Sequence, residues 1–467
     1  ETASLIVSRM LMVRFSEDHG FLQRYISNGG VEVFSRYAAF FKKPMQALLR
    51  ETYNSSRELY RNLFDQSLLD WALDSTDEGL SDALLHAMYL LSRWDFRTVQ
   101  GDILSGVYDH YLDTGKRRAL GEVFTRPEIA RYMLGRCNYA APKTVLDPAC
   151  GTGTFLVEVL AQEIHRFQNA GMLNVDTIVP TLRRLHGLDI NPFSVALAQI
   201  QILWHLIELF TNQSKEALRT LAAAIIPAIT VHGGHSSLDP LGSLVGAAVQ
   251  PALDLSSTAT ASRRKRVASV PRRFRQISQG QYDIVIGNPP YVRAHRQLAD
   301  SAVAAAYEPV HHGQMDLYIP FIYRSLKNWL KPGGRLALIV PIAVLDARYA
   351  ERLRSVLREY KIVEIADMEC LRKKTFRGIK RPTVILVIEN TAPKPDDDVE
   401  LVTLYADCFD VANDVIDFGK GRRRTVKREQ IEQSHYLPDL ASQGPWAKDL
   451  DPEGGSSRFV PARLDTD

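Results

Sequence analysis

Two short segments of the sequence carry the residues best suited to chemistry. The first is Asn288-Pro-Pro-Tyr291, which follows the β-branched run 282–286. Two successive prolines, Pro289 and Pro290, fix the backbone and remove two N–H donors, so the nearby carbonyl groups are left as acceptors. Together with the Asn288 side-chain oxygen, the carbonyls near Asn288 and Pro289 can hold an amino group by both of its hydrogens. Tyr291 offers a flat face on which a base can stack. The segment therefore predicts a site that binds and orients a planar amine.

An aromatic amine needs such help because its nitrogen lone pair is delocalised into the ring. Two acceptors on its N–H groups favour a pyramidal nitrogen and free that pair for bond formation. The alternative is structural, with Asn288-Pro-Pro-Tyr291 acting as a proline-rich turn capped by a buried tyrosine. This alternative explains the prolines but not an asparagine placed directly after a buried strand.

The second segment is Val145-Leu-Asp-Pro-Ala-Cys-Gly-Thr-Gly-Thr-Phe155, in which a strand, a carboxylate and two glycines precede a helix. A glycine-rich turn lets the backbone approach a ligand closely, and the helix offers free N–H groups at its positive end. Asp189 ends the next predicted strand, where doubly wound folds commonly place a carboxylate on ribose hydroxyls. A helix N-terminal cap ahead of Pro192 is the alternative role for Asp189. Its separation from Gly151 exceeds the dinucleotide fingerprint's spacing of about 20 residues, which argues against a nicotinamide enzyme.

The elements that position these segments are those of an α/β fold. From about residue 121, short β-branched runs alternate with helical stretches, which predicts a parallel sheet covered by helices on both faces. Between residues 4 and 112 apolar residues recur at helical spacing, which predicts a helical domain ahead of the sheet. The predicted strands are Thr144–Leu146, Arg184–Leu188, Tyr282–Ile286, Arg335–Val340, Ile362–Asp367 and Thr383–Glu389, and the predicted helices between them are Thr154–Phe167 and Pro192–Phe210.

Composition places the chain among ordinary globular proteins. Its 467 residues, at roughly 150 per domain, predict about three folding units. The contents of 45% hydrophobic and 24% charged residues exclude a fully disordered, collagenous or coiled-coil chain. The net charge is only +3, so a nucleic-acid surface requires local clustering of basic residues.

Cysteine usage and hydropathy indicate a cytoplasmic protein. The four cysteines form no CxxC pair, which predicts reduced thiols and no zinc site. The most apolar stretch, 221–231, is shorter than the roughly 18 residues that a membrane span needs. The chain begins at Glu1 without a basic segment ahead of an apolar core, so we expect no secretion signal.

Basic residues cluster in two runs. The first lies in a Ser-, Gly-, Ala- and Pro-rich stretch, 236–281, that predicts a long insertion loop, and the second covers 420–428. Such runs are typical either of a solvated surface loop or of a contact with nucleic-acid phosphates.

The two chemical segments together resemble a known family. Asp147-Pro-Ala-Cys-Gly-Thr-Gly153 followed by Asn288-Pro-Pro-Tyr291 is similar to the S-adenosylmethionine-dependent adenine-N6 DNA methyltransferases of the gamma motif order, in which the cofactor motif precedes the catalytic motif. Gly121-Glu-Val-Phe-Thr-Arg-Pro-Glu128 looks like the family's N-terminal cofactor-contacting motif, with Thr125 in the usual place. Phe376 occupies the position at which family members stack an aromatic ring on a flipped adenine. The helical segment ahead of the core is similar to that of type I and type IIG restriction–modification methyltransferase subunits.

The resemblance implies a Rossmann-like class I methyltransferase fold, a mixed sheet with helices on both faces that is preceded by an all-α domain. It implies a helical domain at 1–119, a catalytic core at 120–395 with its insertion at about 236–281, and a connector at 396–467 toward a missing target recognition domain. The implied cofactor is S-adenosylmethionine. The residues expected to bind it are Thr125, Asp147, Ala149, Gly151, Gly153, Asp189 and Ile190.

The implied activity is methyl transfer to N6 of a flipped adenine in double-stranded DNA, in a restriction–modification or phage-defence system. Asn288, Pro289, Pro290 and Tyr291 are then catalytic, Tyr291 and Phe376 stack on the target base, and no metal takes part. A specificity or nuclease domain or subunit is an expected partner.

Two alternatives remain open. The first is a methyltransferase acting on a protein glutamine or on an RNA base amino group. The second is a non-catalytic DNA-binding subunit of a defence complex, which is suggested by Gly234-His-Ser-Ser-Leu238 where relatives carry Gly-Asp/Asn-Ser-Leu.

Overall fold

A nine-stranded sheet forms the centre of the computed structural model, which describes residues 2–27, 44–57, 64, 71–75, 77–97, 125–140, 142–209, 214–233, 272–293, 301–311, 313, 316–371 and 381–433. A separate two-stranded ribbon pairs Phe409–Asp410 with Val415–Ile416. The strands are β1 Val145–Asp147, β2 Leu185–Asp189, β3 Thr230–Gly233, β4 Tyr282–Gly287, β5 Leu330–Pro341, β6 Lys361–Asp367, β7 Thr383–Glu389, β8 Asp398–Thr403, β9 Phe409–Asp410, β10 Val415–Ile416 and β11 Arg422–Lys427.

Helices precede the sheet and connect its strands. The α-helices are α1 Thr2–Asp18, α2 Pro44–Ser56, α3 Trp71–Asp74, α4 Glu78–Ser92, α5 Pro127–Arg136, α6 Thr154–Asn169, α7 Val175–Leu182, α8 Pro192–Glu208, α9 Lys215–Ile225, α10 Arg272–Ser278, α11 Ser301–Ala306, α12 Tyr318–Arg324, α13 Glu351–Leu357 and α14 Arg428–Gln433. No helix among these described residues is long and apolar enough to cross a bilayer.

The sheet is mixed, with the strand order β11-β8-β6-β7-β5-β4-β1-β2-β3. The strands from β5 to β3 are parallel to one another, and β7 is antiparallel to both of its neighbours, β5 and β6. Parallel strands point their carboxyl ends to the same edge, so the loops after β1, β2 and β4 lie side by side. The predicted mixed class I methyltransferase sheet is confirmed.

Apolar side chains cover both faces of the sheet. In β4, Ile284 and Ile286 pack into one core cluster, and Val285 packs into a second cluster on the opposite face. This alternation follows from the period of two residues in a strand. Burial on both faces explains why residues 284–286 of this strand are an uninterrupted apolar run.

The N-terminal helices pack directly on the α/β core. The ring centroid of Phe15 in α1 lies 4.5 Å from that of Trp204 in α8. Phe96, which follows α4, contacts the same tryptophan edge-on at 6.1 Å. The described part of the helical segment therefore shares its apolar core with the sheet domain.

All the predicted strands and both predicted helices are present, with small differences at their ends. The domain boundaries stay predictions, but described elements lie across two of them. β8 and β11 pair within the main sheet beyond β6, so the sheet continues to Lys427 and does not end at residue 395. The described end of the expected insertion loop is helix α10, in which Phe274 and Ile277 are buried in the core. Residues 236–271 and the boundary at 119/120 lie outside the described residues.

Candidate active site

Three polar side chains meet the carboxyl edge of the sheet at adjacent strands. Asp147 ends β1, Asp189 ends β2, and Asn288 follows directly after the last residue of β4. Because β4, β1 and β2 are neighbours in the sheet, both segments singled out from the sequence open on one edge. This is the edge at which open α/β sheets bind ligands.

The turn after β1 depends on two glycines with positive φ. Gly151 has φ 51° and Gly153 has φ 91°, a region that other residues rarely adopt. A Cβ at Gly153 would lie 3.0 Å from the Cβ of Ala198 in α8, so this glycine permits close packing of the turn on that helix. A Cβ at Gly151 would meet no atom of the described part of the chain within 4 Å. Within that part, the backbone at Gly151 faces open space, into which a ligand can fit.

Asp147 is a buried carboxylate with one unsatisfied oxygen. Its side chain is 1% exposed, Oδ1 accepts the N–H of Ala149 at 3.2 Å, and Oδ2 has no hydrogen-bond partner among the described residues. Burial raises the pKa of Asp147 well above its usual range, and the nearby Asp189 carboxylate adds to the rise. A Cβ at position 287 would lie 2.7 Å from Asp147 Oδ1, which explains Gly287 at the end of β4. A buried acceptor without a donor is costly, so Asp147 is suited to receive a donor group from a ligand.

Asp189 joins two loops of the site. Its Oδ2 accepts the N–H of Gly151 and its Oδ1 accepts the N–H of Asn191, each at 2.8 Å. The carboxylate therefore holds the glycine turn against the end of β2 and orders the entry to α8. A contact with ribose hydroxyls stays a prediction. Ala149 and Ile190, which flank these carboxylates, are both partly exposed.

The Asn288 side chain is held at both ends of its carboxamide. Its Nδ2 donates to Thr125 Oγ1 at 3.2 Å, and its Oδ1 accepts the Tyr291 hydroxyl at 2.5 Å. The Tyr291 hydroxyl also lies 3.0 Å from the carbonyl oxygen of Ile339 in β5. The structure thus brings Thr125, expected at the cofactor, into contact with the proposed catalytic amide.

Tyr291 is buried, with 8% of its surface exposed. Burial raises the pKa of its hydroxyl well above the usual range, so the group stays protonated and can donate. The hydroxyl is drawn inward because two oxygen acceptors, on Asn288 and Ile339, lie there. The expected exposed stacking face is therefore not presented in this structure, and base stacking by Tyr291 stays a prediction. Phe376 lies outside the described residues.

One contact of the Asn288-Pro-Pro-Tyr291 turn could not be found from sequence. Arg381 Nη1 lies 2.6 Å from Asp316 Oδ2 and donates to the carbonyl oxygen of Tyr291 at 3.4 Å. Asp316 is only 7% exposed, and the hydroxyl of Tyr349 also donates to it at 3.4 Å. Arg381 precedes β7, and Asp316 lies far from it in sequence, so no local pattern signals the pair. The pair fixes the carboxyl end of the Asn-Pro-Pro-Tyr turn.

Two family models match this part of the chain. The model described as N-6 DNA Methylase matches residues 99–223, which contain the glycine turn and Asp189. The model described as Eco57I restriction-modification methylase matches residues 183–376, which contain Asp189 and Asn288-Pro-Pro-Tyr291. The predicted resemblance to adenine-N6 DNA methyltransferases is confirmed. The two matches overlap at Asp189, so both halves of the candidate site lie within the matched segments.

Individual relatives agree with the family matches. The chain is 25% identical over 253 residues to the type II methyltransferase M.PaeR7I of Pseudomonas aeruginosa, covering 52% of this chain and 36% of that protein. It is 27% identical over 252 residues to the adenine-specific methyltransferase PglX of Streptomyces coelicolor, covering 52% of this chain and 20% of that protein. The matches thus span well under half the length of these curated relatives.

A solved structure of a type I R-M system shows the same fold. It superposes with a TM-score of 0.50 and 16% identity, over 95% of this chain and 86% of that one. At this identity the likeness supports the fold alone.

Proposed function

We propose that this protein methylates N6 of adenine in double-stranded DNA, with S-adenosylmethionine as the methyl donor, within a restriction–modification or phage-defence system. The observation that carries the proposal is the placement of Asn288, directly after β4, beside the glycine turn and Asp147 at one sheet edge. The family matches over both halves of the site support it. Because the matched relatives are longer than the matched segments, a specificity or nuclease domain or subunit is part of the proposal.

The residues at β1 and β2 fit this cofactor. Among the described residues, Asp147 provides a buried acceptor oxygen without a donor, and the space beside the Gly151 backbone is open. When bound, S-adenosylmethionine supplies a methyl group made electrophilic by its sulfonium. The Asp189 carboxylate and the N-terminus of α6 suit a ligand that carries both positive and negative groups. The residues proposed to hold it are Asp147, Ala149, Gly151, Gly153, Asp189 and Ile190. The resemblance also assigns Thr125 to the cofactor, but its hydroxyl contacts the Asn288 amide.

The catalytic segment acts on the target amine. In the proposal, the Asn288 oxygen and the Pro289 carbonyl accept the two N–H groups of a flipped adenine, and Pro290 keeps the turn rigid. This orientation frees the nitrogen lone pair and aligns it with the methyl group that it will attack. Positioning of the amine is thus the main way in which these residues would accelerate the reaction. The protein supplies no covalent nucleophile. The amine proton becomes acidic as the new bond forms and can leave to water. Tyr291 and Phe376 are proposed to stack on the base.

The test uses the full chain, labelled S-adenosylmethionine, and unmethylated duplex DNA of mixed sequence, with nucleoside analysis after digestion. We expect N6-methyladenine with the wild type and with Asn169→Ala, a control at the exposed end of α6. We expect none with Asn288→Ala, and unchanged cofactor affinity in calorimetry. Normal turnover of Asn288→Ala would refute the mechanism.

The same labelling distinguishes the alternatives. Label recovered in RNA or in protein glutamine, and not in DNA, would replace the proposed substrate. Cofactor binding without transfer to any of the three would favour a non-catalytic DNA-binding subunit.

A further inference from the structure

We infer that Thr125 is a positioning residue that fixes the orientation of the Asn288 carboxamide. The inference rests on the proposed function and deepens it, because the resemblance assigns Thr125 to the cofactor. Its basis is the contact between Thr125 Oγ1 and Asn288 Nδ2, which joins residues 163 positions apart.

Two hydrogen-bond patterns could connect Thr125, Asn288 and Tyr291. In the first, the tyrosine hydroxyl donates to the amide oxygen and the amide nitrogen donates to the threonine. In the second, the amide nitrogen donates to the tyrosine hydroxyl and the threonine hydroxyl donates to the amide oxygen. The tyrosine hydroxyl then donates to the carbonyl oxygen of Ile339. An asparagine can adopt either pattern by turning its amide by a half rotation, since its terminal torsion is broad and roughly two-fold.

The observed distances select the first pattern. Hydroxyl donors usually lie about 2.5–3.0 Å from an oxygen acceptor, and N–H donors about 2.7–3.2 Å. The Tyr291–Asn288 distance of 2.5 Å fits an O–H donor, and the Asn288–Thr125 distance of 3.2 Å fits an N–H donor. The amide oxygen keeps one lone pair for a substrate N–H, since a carbonyl oxygen can accept two hydrogen bonds.

The Thr125 hydroxyl is held in place by the fold. Thr125 is 5% exposed and lies just ahead of α5, whose first residue is Pro127. Further along that helix, the Tyr132 hydroxyl donates to Glu364 of β6 at 2.6 Å, and Arg136 pairs with the same carboxylate at 2.5 Å. These two contacts hold helix α5 against the sheet. They thereby fix the position of the Thr125 hydroxyl beside Asn288.

The consequence is a requirement for the threonine hydroxyl in catalysis. Without it, the amide can turn and present its NH₂ group, which cannot accept an N–H from the target amine. Serine keeps the hydroxyl and lacks only the γ-methyl group, so it should preserve the contact with Asn288. Valine keeps the shape of threonine but lacks the hydroxyl, so it should not.

The test compares Thr125→Val with Thr125→Ser in the full chain, with labelled S-adenosylmethionine and unmethylated duplex DNA. We expect Thr125→Val to lower kcat roughly 5- to 10-fold, the loss of one hydrogen bond, with KM for DNA and the cofactor Kd unchanged. Thr125→Ser should recover most of kcat. A cofactor Kd that weakens in Thr125→Val by the same factor as kcat would overturn the inference in favour of a cofactor contact. An unchanged kcat would also overturn it.

A second variant tests the orientation of the Asn288 amide from its other end, so the inference does not depend on the folding of Thr125→Val alone. Tyr291→Phe removes the other anchor of the amide and should lower kcat similarly, again without changing cofactor affinity. Because both residues act through one carboxamide, the double variant should lose less than the product of the single losses. Fully multiplicative losses would contradict the shared action.

A spectroscopic readout separates failure of this inference from failure of the proposed function. In protein labelled with ¹⁵N-asparagine, the Asn288 side-chain signal is identified by its absence in Asn288→Ala. We expect it to shift in Thr125→Val and to stay in place in Thr125→Ser. This pattern in a protein that forms no N6-methyladenine would reject the function and retain the contact, whereas an unshifted signal in Thr125→Val would reject the contact.

Discussion

The Asp189 carboxylate accepts the backbone N–H of Gly151, with 2.8 Å between Oδ2 and the nitrogen. This bond joins the end of β2 to the turn after β1. The other carboxylate oxygen of Asp189, Oδ1, accepts the N–H of Asn191 at the same distance. The conformation of the glycine turn is therefore set by a residue 38 positions away. The glycine turn after β1 and the end of β2 therefore form one structural unit.

Replacing Asp189 by Asn should weaken cofactor binding. An asparagine keeps one acceptor oxygen but places an NH₂ group against one of the two backbone N–H donors. Losing a charge-assisted hydrogen bond costs about 1.5–3 kcal/mol, so we expect the S-adenosylmethionine Kd in calorimetry to rise at least about tenfold. Asp176→Asn, an exposed position in the first turn of α7, is the control. An unchanged Kd for Asp189→Asn would show that the turn keeps its shape without this carboxylate.

The two glycines of the turn should differ in their effect on stability. Gly153→Ala introduces both a strained φ of 91° and a Cβ at 3.0 Å from Ala198. Gly151→Ala introduces only an unfavourable φ of 51°, since no atom of the described residues lies within 4 Å of the new Cβ. We expect Gly153→Ala to lower the free energy of unfolding by roughly 2–4 kcal/mol, and Gly151→Ala by about 1–2 kcal/mol. Equal losses in urea denaturation would mean that α8 moves aside without cost.

The strands at the centre of the sheet are easiest to predict where they are apolar runs, as in residues 284–286 of β4 and 384–388 of β7, because a strand buried on both faces needs apolar side chains throughout. β11 could not be predicted, because four of its six residues are charged and only Val426 is buried. Its place in the sheet comes from pairing with β8, where Lys427 lies opposite Asp398. β3 could not be predicted either, because the stretch 221–231 passes from helix α9 into the strand without a charged residue.

The candidate site could be predicted where its residues are contiguous in sequence. Asp147, the glycine turn and Asn288-Pro-Pro-Tyr291 each lie within one short segment that ends a strand. Contacts between segments could not be predicted, because they depend on the packing of distant elements. The Thr125–Asn288 bond and the Arg381–Asp316 pair are of this kind. The inward position of Tyr291 likewise depends on the carbonyl of Ile339, on the neighbouring strand β5.

Asp367, at the end of β6, should make stability depend on pH. Burial raises the pKa of Asp367 from its ordinary value near 3.8 to about 6. The hydrogen bond from the Glu369 N–H lowers this pKa, and the nearby Glu369 carboxylate raises it. Between these values the folded state binds the proton more tightly than the unfolded state. Stability is therefore lost as pH rises from about 4 to about 6. At about 1.4 kcal/mol per pKa unit, the loss approaches roughly 3 kcal/mol.

Asp367→Asn should remove this loss, because an amide does not ionise and still offers an oxygen to the Glu369 N–H. We expect the variant to gain stability relative to wild type as the pH of urea denaturation is raised from about 4.5 to about 7.5. Asp397→Asn is the matched control. Hydrogen bonding to the Lys394 N–H and to Lys361 outweighs partial burial and lowers the pKa of Asp397, so its stabilising effect is lost only below this pH range. A difference between wild type and Asp367→Asn that stays constant over the range would show that Asp367 ionises alike in the folded and unfolded states.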